Sequence, residues 1–186
     1  MTRAGTSRAD TALDAHRRLL QKWRKAMDLI GPGPMEPHFE DAIGAVQDLD
    51  VHGRWADLGS GAGFPGIALA AFHADAEVLL VESRQKRAIF LRKVIAEAGL
   101  DNATIVHGRT ETLPEEGFDG VISRAYKPPR KFLADAERLL RPGGLAVMML
   151  GDRTDHDLPL GWEVVRSDRY AVDDGHRVRT VARRTD

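Results

Sequence analysis

The stretch Asp57-Leu58-Gly59-Ser60-Gly61-Ala62-Gly63-Phe64-Pro65-Gly66 carries the strongest chemical signal in the chain. Glycine lacks a Cβ and accepts positive φ, so a run of this kind lets a ligand lie directly against backbone. A glycine-rich turn alone is weak evidence, because a tight structural turn uses the same residues. Two carboxylates strengthen it. Asp57 stands at the tip of an expected strand, where a negative charge suits the amino group of a methionine moiety better than a pyrophosphate. Glu82 closes the next expected strand, about 20 residues past the turn, where a carboxylate can accept hydrogen bonds from both hydroxyls of a ribose. Together they favour S-adenosylmethionine over a nicotinamide dinucleotide. The dinucleotide places its pyrophosphate at a helix N-terminus, where Asp57 is a poor neighbour.

Such a turn needs a sheet to present it, and the surrounding pattern supplies one. Leu13, Leu20, Trp23, Met27 and Ile30 recur at helical steps and end at the double breaker Gly31-Pro32-Gly33-Pro34. A second helix is expected from near Pro37, burying Phe39, Ile43 and Val46. Strands then alternate with helices: Trp55 to Leu58, a short helix Ile67 to Ala71, Val78 to Glu82, and a helix Arg84 to Ala98 with Ser83 as its cap. Thr104 to His107 and Gly120 to Ser123 follow as strands, then a helix Pro129 to Leu140 stopped by Arg141-Pro142-Gly143-Gly144, and a strand Leu145 to Leu150. Trp162 to Val165 and Arg177 to Val181 read as a final antiparallel pair around Asp173-Asp174-Gly175. The expected fold is α/β and Rossmann-like: a mostly parallel sheet with an antiparallel last strand and an N-terminal helical cap. A single domain over 1–186 is expected, with the cap at 10–50 and the core at 54–186.

Composition narrows the chemistry. The chain has no cysteine, which removes disulfides, thiolate metal sites and cysteine nucleophiles. His38, His107 and His176 lack metal-ligand spacing, so no metal site is expected. A net charge of -1 gives no global attraction to nucleic acid, so any such binding needs a local basic face. Two are available: Arg17, Arg18, Lys22, Arg24 and Lys25 on the first helix, and Lys127, Arg130 and Lys131 after the fourth strand. Either set also reads as an ordinary solvated helix face. The segment MTRAGTSRAD lacks the apolar centre of a signal peptide, and no apolar run approaches bilayer length, so a cytoplasmic protein with no membrane partner is expected.

Several further motifs carry a family resemblance. They are Leu20-Gln21-Lys22-Trp23-Arg24-Lys25-Ala26-Met27-Asp28-Leu29, His38-Phe39-Glu40-Asp41-Ala42-Ile43, and the turn Gly59 to Gly66 with Phe-Pro-Gly at its end. With them go Lys86-Arg87, Phe90-Leu91-Arg92, Phe118-Asp119-Gly120-Val121-Ile122-Ser123-Arg124-Ala125 and Asp174-Gly175-His176-Arg177. On these residues the chain resembles RsmG, also called GidB, the bacterial 16S rRNA guanine-N7 methyltransferases. The resemblance implies a class I S-adenosylmethionine-dependent enzyme that acts on 16S rRNA or the 30S subunit, at guanine-527 in the family; a monomer is expected because the sequence has no long exposed apolar stripe. It implies a cofactor site built from Asp57, Gly59, Gly61, Gly63, Phe64, Glu82, Thr110, Glu111 and Arg124, with Thr110 and Glu111 beside the adenine. Arg124 is also the one candidate for a role in catalysis. Each has a plainer alternative: Thr110 as the cap of a short turn, Glu111 as a solvated loop carboxylate, Phe64 as core, Arg124 as a surface ion pair.

The chain departs from the family pattern at Pro37, where the family has Arg, and at Leu150-Gly151-Asp152, where it has a Lys-Gly pair. These departures keep another RNA, a small molecule or a protein open as acceptor. Guanine N7 offers a lone pair without prior deprotonation, so methylation there needs alignment and shielding rather than a general base. Lys127-Pro128-Pro129-Arg130 lacks the leading amide or carboxylate and the trailing aromatic of the tetrapeptide used by amino-group methyltransferases.

Overall fold

The computed structural model describes residues 7–152, 158–173 and 175–185. Two helices, α1 (Arg8–Met27) and α2 (Glu36–Val46), precede the sheet. Ser7 caps α1 through a reciprocal pairing with Asp10, which starts the helix earlier than its apolar period predicts. It stops short of Ile30 because Asp28 takes a left-handed conformation and its N–H returns to the Arg24 carbonyl.

The core then alternates: β1 (Arg54–Leu58), α3 (Gly66–Phe72), β2 (Glu77–Glu82), α4 (Gln85–Ala98), β3 (Ala103–His107), β4 (Phe118–Arg124), α5 (Pro129–Leu139), β5 (Leu140–Met149), β6 (Trp162–Val172) and β7 (Gly175–Arg184). The seven strands order as β3-β2-β1-β4-β5-β7-β6. β1 to β5 run parallel, and β7 pairs antiparallel with both β5 and β6. The expected α/β sheet with an antiparallel last strand is therefore present.

Alternation along the strands divides the core into two layers. Trp55, Val78 and Leu80 face α1 to α4, where they join Leu20, Phe39, Ile67, Phe90 and Leu91. Ala56, Leu58, Leu79 and Val81 face the opposite side, where α5 contributes Phe132, Leu133, Ala136 and Leu139. Burying both faces is what a parallel sheet requires. It fixes the carboxyl ends of β1, β2 and β4 at one edge, where ligands of such sheets bind.

Three local expectations change. Ser83 does not cap α4: Arg84 holds the cap position with no side-chain hydrogen bond, and its backbone N–H donates to Glu82 Oε1 at 2.7 Å. β6 runs to Val172 rather than Val165, since β7 supplies a ladder partner for the polar stretch Arg166 to Arg169. β5 begins at Leu140, so the Arg-Pro-Gly-Gly breaker lies inside the strand's first half, at a register shift against β4. Asp174, expected in the hairpin turn, lies outside the described residues; its neighbour Asp173 has φ 49° and Val172 pairs with Gly175.

Candidate functional site

The glycine-rich turn leaves β1 at the sheet's carboxyl edge. Gly59 and Ser60 both donate backbone N–H to the Val81 carbonyl at 3.0 Å, which ties the turn to β2. Gly59, Gly61 and Gly63 have φ of 71°, 58° and 98°, a region that other residues enter at a cost. Asp57 stands behind the turn, fully buried, with Oδ2 accepting the Gly66 N–H at 3.0 Å. Its Oδ1 is buried without a hydrogen-bond partner, and burial pushes the carboxyl up to about 7. An orphaned acceptor of this kind is satisfied by an incoming donor, and a cationic one would draw the carboxyl back to its charged form.

Glu82, the last residue of β2, is 5% exposed. Its Oε2 accepts the Gly61 N–H at 2.9 Å while Oε1 accepts that of Arg84, so the carboxylate stitches turn to strand. An ionised carboxylate has about four lone-pair sites, which leaves capacity for a diol. Glu82, Gly59, Thr110 and Glu111 together line a cleft of about 430 Å³. Thr110 begins a single 3-10 turn and is buried, its Oγ1 2.6 Å from the Tyr126 hydroxyl. Tyr126 lies across Gly59, where a Cβ would stand 2.6 Å from its ring. Glu111 is exposed and lies 3.8 Å from Lys127 Nζ.

Asp57, Gly61, Gly63 and Phe64 do not line this cleft. They shape it from behind. Phe64 is 3% exposed, edge-on to Phe39 with ring centroids 4.9 Å apart and 4.8 Å from His16. His16 is fully buried, its Nε2 2.7 Å from the Ala62 carbonyl; burial lowers its imidazole to about 4, so it binds the turn as a neutral ring.

A second cavity of about 360 Å³ adjoins the cleft and shares Ala125 and Lys127 with it. Its walls include Pro129, Phe132, Met148 and Met149, with Arg124 and Arg177 as cations. Arg124 ends β4, ion-pairs with Asp41 at 3.1 Å and lies 4.8 Å over the Phe64 ring. Arg124 is thus brought beside the second cavity, one residue from the first. Among the described residues no group of three or more His, Asp or Glu side chains is placed to hold a metal ion.

Three cations of the sequence's basic sets are held by neighbours, Arg24 by the Gly33 carbonyl at 2.8 Å. Arg17 bonds Asp14 and Glu36, and Lys127 bonds Asp135 at 2.6 Å. Arg84, Arg87 and Arg109 line the cleft together with Lys127, a grouping that no single helix pattern reveals. Tyr126, Asp41 and His16 were likewise not singled out by sequence reasoning. For Asp41 the sequence offers its place in the motif His38-Phe39-Glu40-Asp41-Ala42-Ile43.

Comparison with known proteins gives a consistent result. The GidB family, described as rRNA small subunit methyltransferase G, matches residues 10–177. A relative named ribosomal RNA small subunit methyltransferase G from Azoarcus sp. (strain BH72) is 37% identical over 162 residues, 83% of this chain and 76% of that one. Its namesake from Paracoccus denitrificans (strain Pd 1222) is 35% identical over 150 residues, 78% of each chain. Among solved structures, M. jannaschii TYW2 in complex with AdoMet aligns at a TM-score of 0.61 and 16% identity, over 85% of this chain and 78% of that one. The O-methyltransferase from Bacillus cereus in complex with SAH aligns at 0.63 and 18% identity, over 92% and 91%. At these identities the structural likeness is one of fold.

Proposed function

From the premise that the chain belongs to the GidB family of small subunit rRNA methyltransferases, we propose that it methylates N7 of a guanine in 16S rRNA, with S-adenosylmethionine as donor. The observation that carries this reading is the meeting of two cavities at Ala125 and Lys127, one edged by the Glu82 carboxylate and the other by the Arg124 guanidinium. A donor and an acceptor held in these two spaces would be neighbours.

In the first cavity Glu82 would accept the ribose hydroxyls, Gly59 would let the cofactor lie on bare backbone, and Thr110 and Glu111 would flank the adenine. Asp57, behind the turn with its Oδ1 unpartnered, would supply negative charge toward the donor's ammonium. Gly61, Gly63 and Phe64 would hold the turn's shape. S-adenosylmethionine supplies an electrophilic sulfonium methyl when bound. The N7 lone pair needs no base to release it, so the protein's task is to orient the acceptor and keep water out. Pro129, Phe132, Met148 and Met149 give the second cavity an apolar lining suited to a base taken out of its stack. Arg124 would meet the electron-rich base edge.

Affinity for RNA would come from cations at the rim: Arg84, Arg87, Lys127 and Arg177. The reading is tested with labelled S-adenosylmethionine and unmodified 30S subunits, followed by nucleoside mass spectrometry of the 16S rRNA. The expected product is 7-methylguanosine. Measurable cofactor binding without any methylated nucleoside would send the acceptor assignment to another substrate class.

A further inference from the structure

Both carboxylate oxygens of Asp41 are committed, and to partners from different parts of the chain. Oδ2 accepts Arg124 Nη1 at 3.1 Å, and Oδ1 accepts the Tyr170 hydroxyl at 2.8 Å. The three residues lie on α2, β4 and β6. Their contact depends on Gly44, one turn along α2, where a Cβ would stand 2.4 Å from Tyr170 Cδ2. Residues three apart on a helix share a face, so Asp41 presents the carboxylate and Gly44 the space for the ring that meets it. β6 is fastened to the end of α2 by Arg179, which is 1% exposed and donates to the Ala45 carbonyl at 3.0 Å, to Asp48 at 2.5 Å and to Asp168 at 2.6 Å.

Side-chain exposures of 21% for Arg124 and 11% for Asp41 place their pair where charge-assisted bonds are little weakened by solvent. Burial and the Asp41 charge push the Tyr170 phenol up, so its hydroxyl stays a donor throughout the neutral range. Arg124 has five N–H donors, and Asp41 takes one of them.

We propose that Asp41 and Tyr170 are positioning residues of the methyl transfer: they fix the Arg124 guanidinium at the mouth of the second cavity with its remaining donors available to the acceptor base. This rests on the assignment of that cavity to the acceptor. Neither residue touches the reacting atoms; both act through Arg124, as outer partners do for groups that must be held in one orientation.

The test compares Asp41→Asn and Tyr170→Phe in the native background and in Arg124→Ala. Tyr170→Phe keeps the ring that packs on Gly44 and removes only the hydroxyl, so it preserves the fold. With 30S subunits and saturating cofactor, Asp41→Asn is expected to lower kcat about 10–100-fold and Tyr170→Phe about 3–10-fold, with cofactor Kd unchanged. In the Arg124→Ala background neither should lower the rate further, since groups acting through one residue are not additive. Equal losses in both backgrounds, or full kcat in Asp41→Asn, would overturn the proposal. A native protein that forms no methylated nucleoside would sink the acceptor assignment instead. The hold on Arg124 is then read without turnover, from NMR exchange of the Arg124 Nη protons. Faster exchange in Tyr170→Phe supports it, and unchanged exchange refutes it.

Discussion

The indole of Trp55 lies where Gly120 has no side chain: the two are register partners on β1 and β4, and a Cβ at 120 would stand 2.3 Å from Trp55 Cε2. Trp55 is fully buried, so the ring has nowhere to move.

Gly120→Ala should therefore destabilise the protein by about 1–3 kcal/mol, the usual cost of overpacking a core. Gly31→Ala, where nothing lies within 4 Å, is the control and should change little. Urea denaturation midpoints of the two variants decide the matter; equal midpoints would mean that the strands part easily at this register.

Asp57→Asn should raise Tm at pH 8. The folded carboxyl is pushed up to about 7 by burial, against an ordinary value of 3.8, so folding takes up a proton between these values. Stability is thus lost as pH rises from about 4 to about 7, and the full penalty is present at pH 8. Asn removes it, so the gain over the native protein should shrink steadily as pH falls from 7 toward 4. A pH-independent difference in Tm would contradict the assignment. Cofactor affinity in Asp57→Asn should fall even as Tm rises.

Glu82→Gln retains one acceptor for the two backbone N–H groups of Gly61 and Arg84, while Glu82→Ala retains none. A charged partner lost from a backbone N–H costs about 1–3 kcal/mol, so Tm should fall in the order native, Gln, Ala. Cofactor Kd, measured by calorimetry, should rise about 10-fold or more in both if this carboxylate meets the ribose. A native Kd in Glu82→Gln would remove Glu82 from the binding residues.

Acid should loosen the cap before the sheet. His16 is held to about 4 by burial, below its ordinary 6.5, so the unfolded chain binds the proton more readily. Stability is lost as pH falls from about 6.5 to about 4 and changes no further below that on account of this group. In His16→Met the slope of stability against pH over this window should be smaller. Hydrogen exchange should show α1 opening first. An identical slope would place the acid sensitivity elsewhere.

Local chemistry was legible where a pattern repeats within a few residues. The short apolar runs at Trp55 to Leu58, between Gly53 and Gly59, and at Val78 to Glu82, between polar residues, yield β1 and β2 nearly to the residue. β6 was not legible beyond Val165, because Arg166, Asp168 and Arg169 have no apolar period and only the β7 ladder makes them a strand. The site divides the same way. Gly59 and Glu82 lie on the cleft as their spacing implies, whereas the pairing of Asp41 with Tyr170 spans 129 residues and leaves no local trace. Phe64 shows why a single reading was insufficient: it is core by burial, yet its ring supports the Arg124 guanidinium.

The strand order has a consequence for the timing of synthesis. β6 joins the sheet only through β7, which is made after it and threads between β5 and β6. Synthesis runs from the N-terminus, so the turn, Glu82 and β4 are made before Tyr170 and before the ladder that holds it. The full set of contacts among Asp41, Arg124 and Tyr170 therefore waits on β7, which is made after all three residues.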